Sequence, residues 1–281
     1  MELNLICDRR SGERVELLII TYNEEKRIAS FINYYKGSAD IVIFDDSSTD
    51  QTCAIAQSLG ASVYQRTGSE RGENHIVYYL DHLSKVKYGI CMYVDELIPI
   101  SDLLAADRFL KLRKGVVYGK RIDYMFGHKT RAFISCAPRG FCLGSVKYDS
   151  STAHSSYIIT QEFRLKPVLT IEMQHLQVWY FPDTMERGGR YTLYDLRTLL
   201  KGKHQLFKFL KMFVYPIAKF IVKGFWKEPL KISSYYLSLL CLNLFMAIPC
   251  YLELKWFLGK EEQIELYNKM FESRTSFLSR L

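Results

Sequence analysis

Two short apolar runs constrain this chain more than any other feature: Val15-Glu16-Leu17-Leu18-Ile19-Ile20 and Ile41-Val42-Ile43-Phe44, each stopping at a polar, acidic stretch. Short runs dense in β-branched residues read as strands buried on both faces, as in a parallel sheet with helices above and below. Between them Ile28, Phe31, Ile32 and Tyr35 recur at helical spacing until Gly37 breaks the pattern, which makes a βαβ unit. Ser47, Ser48, Thr49 and Asp50 are N-cap candidates for a helix carrying Ile55, Ala56 and Leu59, which Gly60 ends before a strand at 61–64. A third helix is expected over 72–83 and a fourth strand over 88–94. Alternation of this kind predicts an α/β fold, a mainly parallel sheet flanked by helices. With 281 residues, 48% of them hydrophobic, the chain is long enough for a sizeable core in one or two domains.

In such sheets ligands bind where loops converge at the carboxyl ends of the strands. Here those ends read Thr21-Tyr22-Asn23-Glu24-Glu25, Asp45-Asp46-Ser47-Ser48-Thr49-Asp50 and Asp95-Glu96, so three carboxylate-bearing loops meet at one edge. A dehydrogenase needs a Gly-rich turn after its first strand and a P-loop enzyme a Gly-Lys-Ser/Thr helix start, and neither occurs. Carboxylates at strand ends suit a nucleotide-sugar site, which needs an acceptor for the base, groups for the ribose and a divalent cation, Mg²⁺ or Mn²⁺, for the diphosphate. Asp95 and Glu96 are the expected metal ligands, Asp95 the better candidate of the two. The competing view is that Asp45, Asp46 and Asp50 cap a helix while Asp95 and Glu96 sit in a solvated turn. Seven cysteines without C-x-x-C or paired zinc spacing argue against a disulfide framework or a structural zinc site.

The strings Leu-Ile-Ile-Thr-Tyr-Asn-Glu-Glu at 18–25 and Ile-Val-Ile-Phe-Asp-Asp-Ser-Ser-Thr-Asp-Gln-Thr at 41–52 resemble the start of family 2 glycosyltransferases with the GT-A fold. More narrowly, the chain resembles the bacterial branch that includes lipopolysaccharide core β-glucosyltransferases. Residues 117–131, His175, the stretch Arg187-Gly188-Gly189-Arg190-Tyr191 and a lysine-rich apolar tail follow in corresponding order. The resemblance implies an inverting transfer of a sugar from a nucleotide-diphosphate donor, a UDP-sugar by first expectation, to a glycan or glycolipid acceptor in bacterial surface polysaccharide assembly. It puts Thr21, Tyr22, Asn23 and the adjoining Glu24 at the donor, Asp45 or Asp46 at the base or ribose, and Asp95 at the metal and diphosphate. The family's Asp-x-Asp is incomplete in Tyr93-Val94-Asp95-Glu96, where Tyr93 replaces the first aspartate. A scaffold protein that keeps the fold without turnover is therefore the rival. Candidates for the base that takes the acceptor proton are Asp149, His154 and Glu162. His175 is a candidate for orienting diphosphate or acceptor, and Arg187, Arg190 and Tyr191 for clamping phosphate.

The net charge of +8 is concentrated. Lys201, Lys203, Lys208, Lys211, Lys219, Lys223, Lys227 and Lys231 face the single acid Glu228 and alternate with bulky apolar residues. Lysines among Phe and Ile read as a segment in the interface of an anionic membrane, or else as a solvated helix on the protein's own core. Residues 232–252 carry no charge, and with Ser238, Asn243 and Pro249 they read first as an interfacial or hairpin-like insertion, then as a span, then as a buried helix. The expected organisation is a GT-A domain over 1–200, with a nucleotide-sugar half at 14–98 and an acceptor half at 99–200. A membrane-associating helical segment follows at 201–258, then a charged terminal helix at 259–281. No basic stretch followed by an apolar run opens the sequence, so the expected location is cytoplasmic, on the inner face of the cell membrane. No base-reading motif accompanies the lysines, so nucleic acid is not an expected partner, and oligomeric state is not legible.

Overall fold

The computed structural model describes residues 2–67, 74–125, 128–148 and 157–177, with separate positions between 214 and 245. The chain divides into two compact units, Met1–Val178 and Trp179–Leu281. The division falls where the chain leaves the sheet, ahead of the boundary at 200 expected from sequence. In the second unit the described residues include helical positions from Val214 to Phe245 and a 3-10 turn at Phe225–Lys227.

The first unit runs β1 (Glu2–Cys7), β2 (Glu16–Thr21), α1 (Ile28–Tyr35), β3 (Asp40–Asp45), α2 (Thr52–Ser58), β4 (Ser62–Thr67), α3 (Asn74–His82), β5 (Tyr88–Tyr93), β6 (Glu96–Leu97), α4 (Ile100–Arg113), β7 (Val116–Met125), β8 (His128–Cys142), β9 (Val146–Tyr148), β10 (Tyr157–Ile159) and β11 (Val168–Gln177). A nine-stranded sheet has the order β1-β4-β3-β2-β5-β8-β7-β11-β6, and β9 and β10 form a separate hairpin. The segment β4-β3-β2-β5 is parallel throughout, as the βαβ reading requires. The antiparallel β8 then reverses direction, and β11 returns parallel to β7. This is the Rossmann-like GT-A arrangement.

Alternation along each central strand feeds two cores. Leu17, Ile19, Ile41 and Ile43 face α1, α2 and α4, while Leu18, Val42 and Phe44 face α3 with Ile76, Tyr79 and Leu80. Each such fully buried side chain contributes about 1.5–3 kcal/mol of transfer free energy, so the two-faced apolar strands are the main source of stability. β1, α4 and every strand after β5 have no counterpart in the sequence reading. β1 escaped because its register with β4 shifts between Leu5 and Cys7, putting Leu3 on one core and Cys7 on the other, so its apolar residues follow no single period.

A buried clasp ties the loop after β1 to the sheet. Arg10 donates to both carboxylate oxygens of Asp8 at 2.8 Å and to Tyr79 Oη and the Leu83 carbonyl at 2.7 Å. It also stands 3.7 Å from Glu16. Glu16 is fully buried, and burial raises its pKa despite hydrogen bonds from Ser84 Oγ and the Lys85 amide and the nearby Arg10 charge.

Candidate active site

The loops after β2 and β3 are stitched into one rigid edge. Thr21 and Asp45 are register partners at the ends of their strands, and Thr21 Oγ1 donates to Asp45 at 3.3 Å. The Ser48 amide and hydroxyl donate to the same carboxylate at 2.8 and 2.5 Å. Across the gap, the Asn23 amide donates to Ser48 Oγ and the Thr49 amide to Asn23 Oδ1, both at 2.9 Å. Asn23 and Ser47 hold left-handed backbone, φ 55° and 63°, which non-glycine residues adopt only when surrounding bonds fix them. Asp45, fully buried, therefore organises the loops. Asp46 is the partly exposed carboxylate of the pair, 31% accessible, and forms a 2.5 Å ion pair with buried Arg66 at the end of β4. Tyr22, between Thr21 and Asn23, is 57% exposed.

The Glu24 carboxylate is held by Arg27 through two 2.7 Å hydrogen bonds, while its carbonyl accepts the Arg27 and Ile28 amides at the start of α1. Asp50 accepts the Thr52 amide at 3.0 Å and the Glu25 amide at 3.2 Å, a capping role that lowers its pKa against the penalty of burial.

The second half of the site lies between β5 and β11. The antiparallel pair of β6 with β11 sets His175 opposite Glu96, and the Leu176 amide donates to the Asp95 carbonyl at 2.7 Å. His175 Nε2 then stands 3.4 Å from Asp95 Oδ2, and its Nδ1 stands 2.9 Å from Asp123 Oδ1. Asp123 is the register partner of His175 on β7 and is also held by Arg121 at 3.1 Å. Burial pulls the His175 pKa down, but its bonds with Asp123 and Asp95 reverse this and leave it raised. Burial likewise pushes Asp95 up, and the His175 hydrogen bond and charge, with Arg27, outweigh that and lower it. Asp95 is thus an ionised carboxylate, with its side chain 26% accessible.

Glu96 differs from the expectation of a second metal ligand. Its carboxylate is fully buried, accepting Arg139 at 2.8 Å and the Tyr93 amide at 3.0 Å, and burial raises its pKa in spite of Arg139. It pins the β5–β6 turn and leaves Asp95 alone at the surface. Glu162 is likewise removed from the site. It precedes Phe163, which lines a cavity with Lys87, Tyr88 and Leu110 at the amino-terminal ends of the parallel strands, the opposite edge of the sheet. Asp149, His154, Arg187, Arg190 and Tyr191 lie outside the described residues. Asp123, Arg66 and Arg139 were missed by sequence reasoning, because nothing in a strand's own sequence tells which neighbouring strand it will meet.

Among the described residues no three His, Cys, Asp or Glu side chains converge as a ready metal cage. One ionised, accessible carboxylate with an imidazole beside it still fits a hard cation whose remaining ligands are phosphate and water oxygens.

A Rossmann-like sheet with its acidic loops joined at the carboxyl edge defines a GT-A glycosyltransferase. The family model described as glycosyl transferase family 2 matches residues 16–158, half of the chain, and the chain belongs to that family. It is 46% identical over 52 residues to an uncharacterized glycosyltransferase of Rickettsia conorii, 18% of either chain. It is 29% identical over 120 residues to glycosyltransferase AglJ of Haloferax volcanii, 37% of this chain and 39% of that one. These matches span well under half of the relatives' length. The solved structure of mannosyltransferase PcManGT from Pyrobaculum calidifontis, in complex with GDP-Man and Mn²⁺, superposes over 92% of each chain at 14% identity, with a TM-score of 0.46.

Proposed function

We propose that this glycosyltransferase is an inverting enzyme that takes a sugar from a nucleotide-diphosphate donor, a UDP-sugar by preference, and passes it to a glycan or glycolipid acceptor in bacterial surface polysaccharide assembly. The observation that carries this reading is Asp95: an ionised, partly exposed carboxylate held by His175 at the same strand edge as Tyr22 and Asp46. Tyr22 offers a ring to the base, Asp46 an acceptor to its imide or to the ribose, and the ion pair with Arg66 holds that carboxylate in position. Thr21 and Asn23 act through the loop geometry that they and Asp45 fix. Asp95 would hold Mg²⁺ or Mn²⁺, which would supply charge neutralisation for the departing diphosphate, while His175 keeps that carboxylate in place. The lysine-rich tail supports a place on the inner face of the cell membrane, where lipid-linked acceptors are found. Among the described residues no helix is long and apolar enough to cross a membrane.

The test is donor hydrolysis across a panel of UDP-, GDP- and dTDP-sugars with Mn²⁺ or Mg²⁺. Metal-dependent nucleotide release that disappears in Asp95→Ala supports the reading, and release unaffected by that change overturns it. A second reading, a binding protein without turnover, is favoured by Tyr93, over whose ring the Arg139 guanidinium lies at 5.6 Å where the family carries an aspartate. Nucleotide-sugar binding with no release under any condition would decide for it.

A further inference from the structure

We infer that the amino-terminal edge of the parallel sheet, opposite the candidate active site, is a docking surface for an anionic lipid bilayer. This goes beyond the tail reading, since it concerns the first unit alone, and lipid binding tests it independently of sugar transfer.

Three loops meet at this edge: the end of α4, the turn after β8 and the approach to β11. The Leu143 amide donates to the Lys87 carbonyl at 2.9 Å, and the Val116 amide to the Pro167 carbonyl at 3.3 Å. The loops are packed closely enough that a Cβ on Gly115 would stand 2.2 Å from the Pro167 oxygen. Leu110, Lys111, Lys114, Leu143 and Phe163 share one cavity there of about 950 Å³.

What these loops expose is unusual for a surface facing water. Leu112 is 71% exposed, Leu143 45%, Leu165 97% and Val168 57%. An exposed leucine needs no account by itself, but Leu112 in the last turn of α4, Leu143 after β8, Leu165 before β11 and Val168 at its start are four large aliphatics exposed on segments that meet at one edge. Exposed cations surround them: Lys87, Lys111, Arg113, Lys114, Arg164 and Lys166, against Glu13 and Glu162. Lys111, Arg113, Lys114 and Arg164 make no ion pair among the described residues. Lysines at the last turn of α4 suit the helix dipole, but that does not account for Arg164 and Lys166 on another loop or for the leucines between them. Aliphatic tips among cations match a bilayer interface, where apolar groups enter the acyl boundary and cations meet anionic headgroups. A nucleic acid would use the cations and leave the leucines in water.

Docking by this edge stands the sheet upright on the bilayer. β2 and β5 are each six residues long. At about 3.3 Å per residue, Asp95 is then roughly 20 Å from the headgroups. An acceptor reached there is a glycan projecting from its lipid rather than the headgroup itself.

The test is flotation of the full chain with vesicles of phosphatidylcholine alone and with about 30% phosphatidylglycerol, since anionic lipid supplies the attraction. The expected result is binding to the anionic vesicles that falls about tenfold or more in Lys111→Glu/Lys114→Glu/Arg164→Glu. In Leu112→Ser/Leu165→Ser, binding is expected to survive low salt but to be lost at high salt, with thermal melting unchanged in both variants. If either variant floats like the unaltered chain in low and high salt, the edge is not the docking surface, whatever the tail does. If the unaltered chain ignores anionic vesicles, or binds poly(A) while doing so, the lipid assignment is overturned.

Discussion

His175 and Asp123 face each other across the parallel pair of β11 and β7, register partners whose side chains meet at 2.9 Å while the far nitrogen of the imidazole points at Asp95. The histidine is thereby held between two carboxylates, which raise its pKa against the penalty of burial. Its raised folded pKa means that the stability it contributes is complete below the ordinary histidine value of 6.5 and is lost as pH rises through the elevated folded value. Asp95, lowered from 3.8, contributes stability above that value and loses it as pH falls through its folded pKa. Urea unfolding of the unaltered protein should therefore show stability declining as pH rises above the ordinary histidine value of 6.5, by a slope that His175→Gln removes. An unchanged slope in the variant would mean that the histidine is not charged in the folded state.

At the nucleotide edge the three aspartates at and after the end of β3, Asp45, Asp46 and Asp50, should separate by phenotype. Asp46→Ala should weaken nucleotide binding measured by calorimetry more than Asp50→Ala does, because Asp46 is the accessible partner of Arg66 while Asp50 is spent on backbone amides. Asp45→Ala should cost about 1–3 kcal/mol of stability in denaturant titrations, as it strands the Thr21 and Ser48 donors.

Metal affinity should depend on nucleotide. With no cage of three ligand side chains among the described residues, Mn²⁺ followed by electron paramagnetic resonance should bind weakly to the free protein and tightly once a nucleoside diphosphate supplies oxygens. Tight binding to the free protein at Asp95 would contradict the site geometry. Asp95→Asn should lower metal-dependent turnover on the order of a hundredfold.

Removing Arg10 should unfold the clasp rather than touch the site. Arg10→Ala leaves Glu16 buried without its cation and should cost about 3–5 kcal/mol, read as a fall in the urea midpoint. Nucleotide affinity below the unfolding transition should stay unchanged.

The βαβ order, the parallel centre of the sheet and the three acidic loops were legible in the sequence, because each is local. A strand buried on both faces is apolar through its middle, as Leu17, Leu18 and Ile19 are, and a loop at its carboxyl end carries its own acids. Which acid does what was not local. Asp45 and Asp46 are neighbours of identical chemistry, yet Thr21 and Ser48 consume one while Arg66 presents the other. Glu96 and Asp95 divide the same way, through Arg139 from β8 and His175 from β11, 43 and 80 residues along the chain. A carboxylate's role is set by the charges and donors within a few ångströms of it, and strands far apart in sequence supply those only after the sheet has closed.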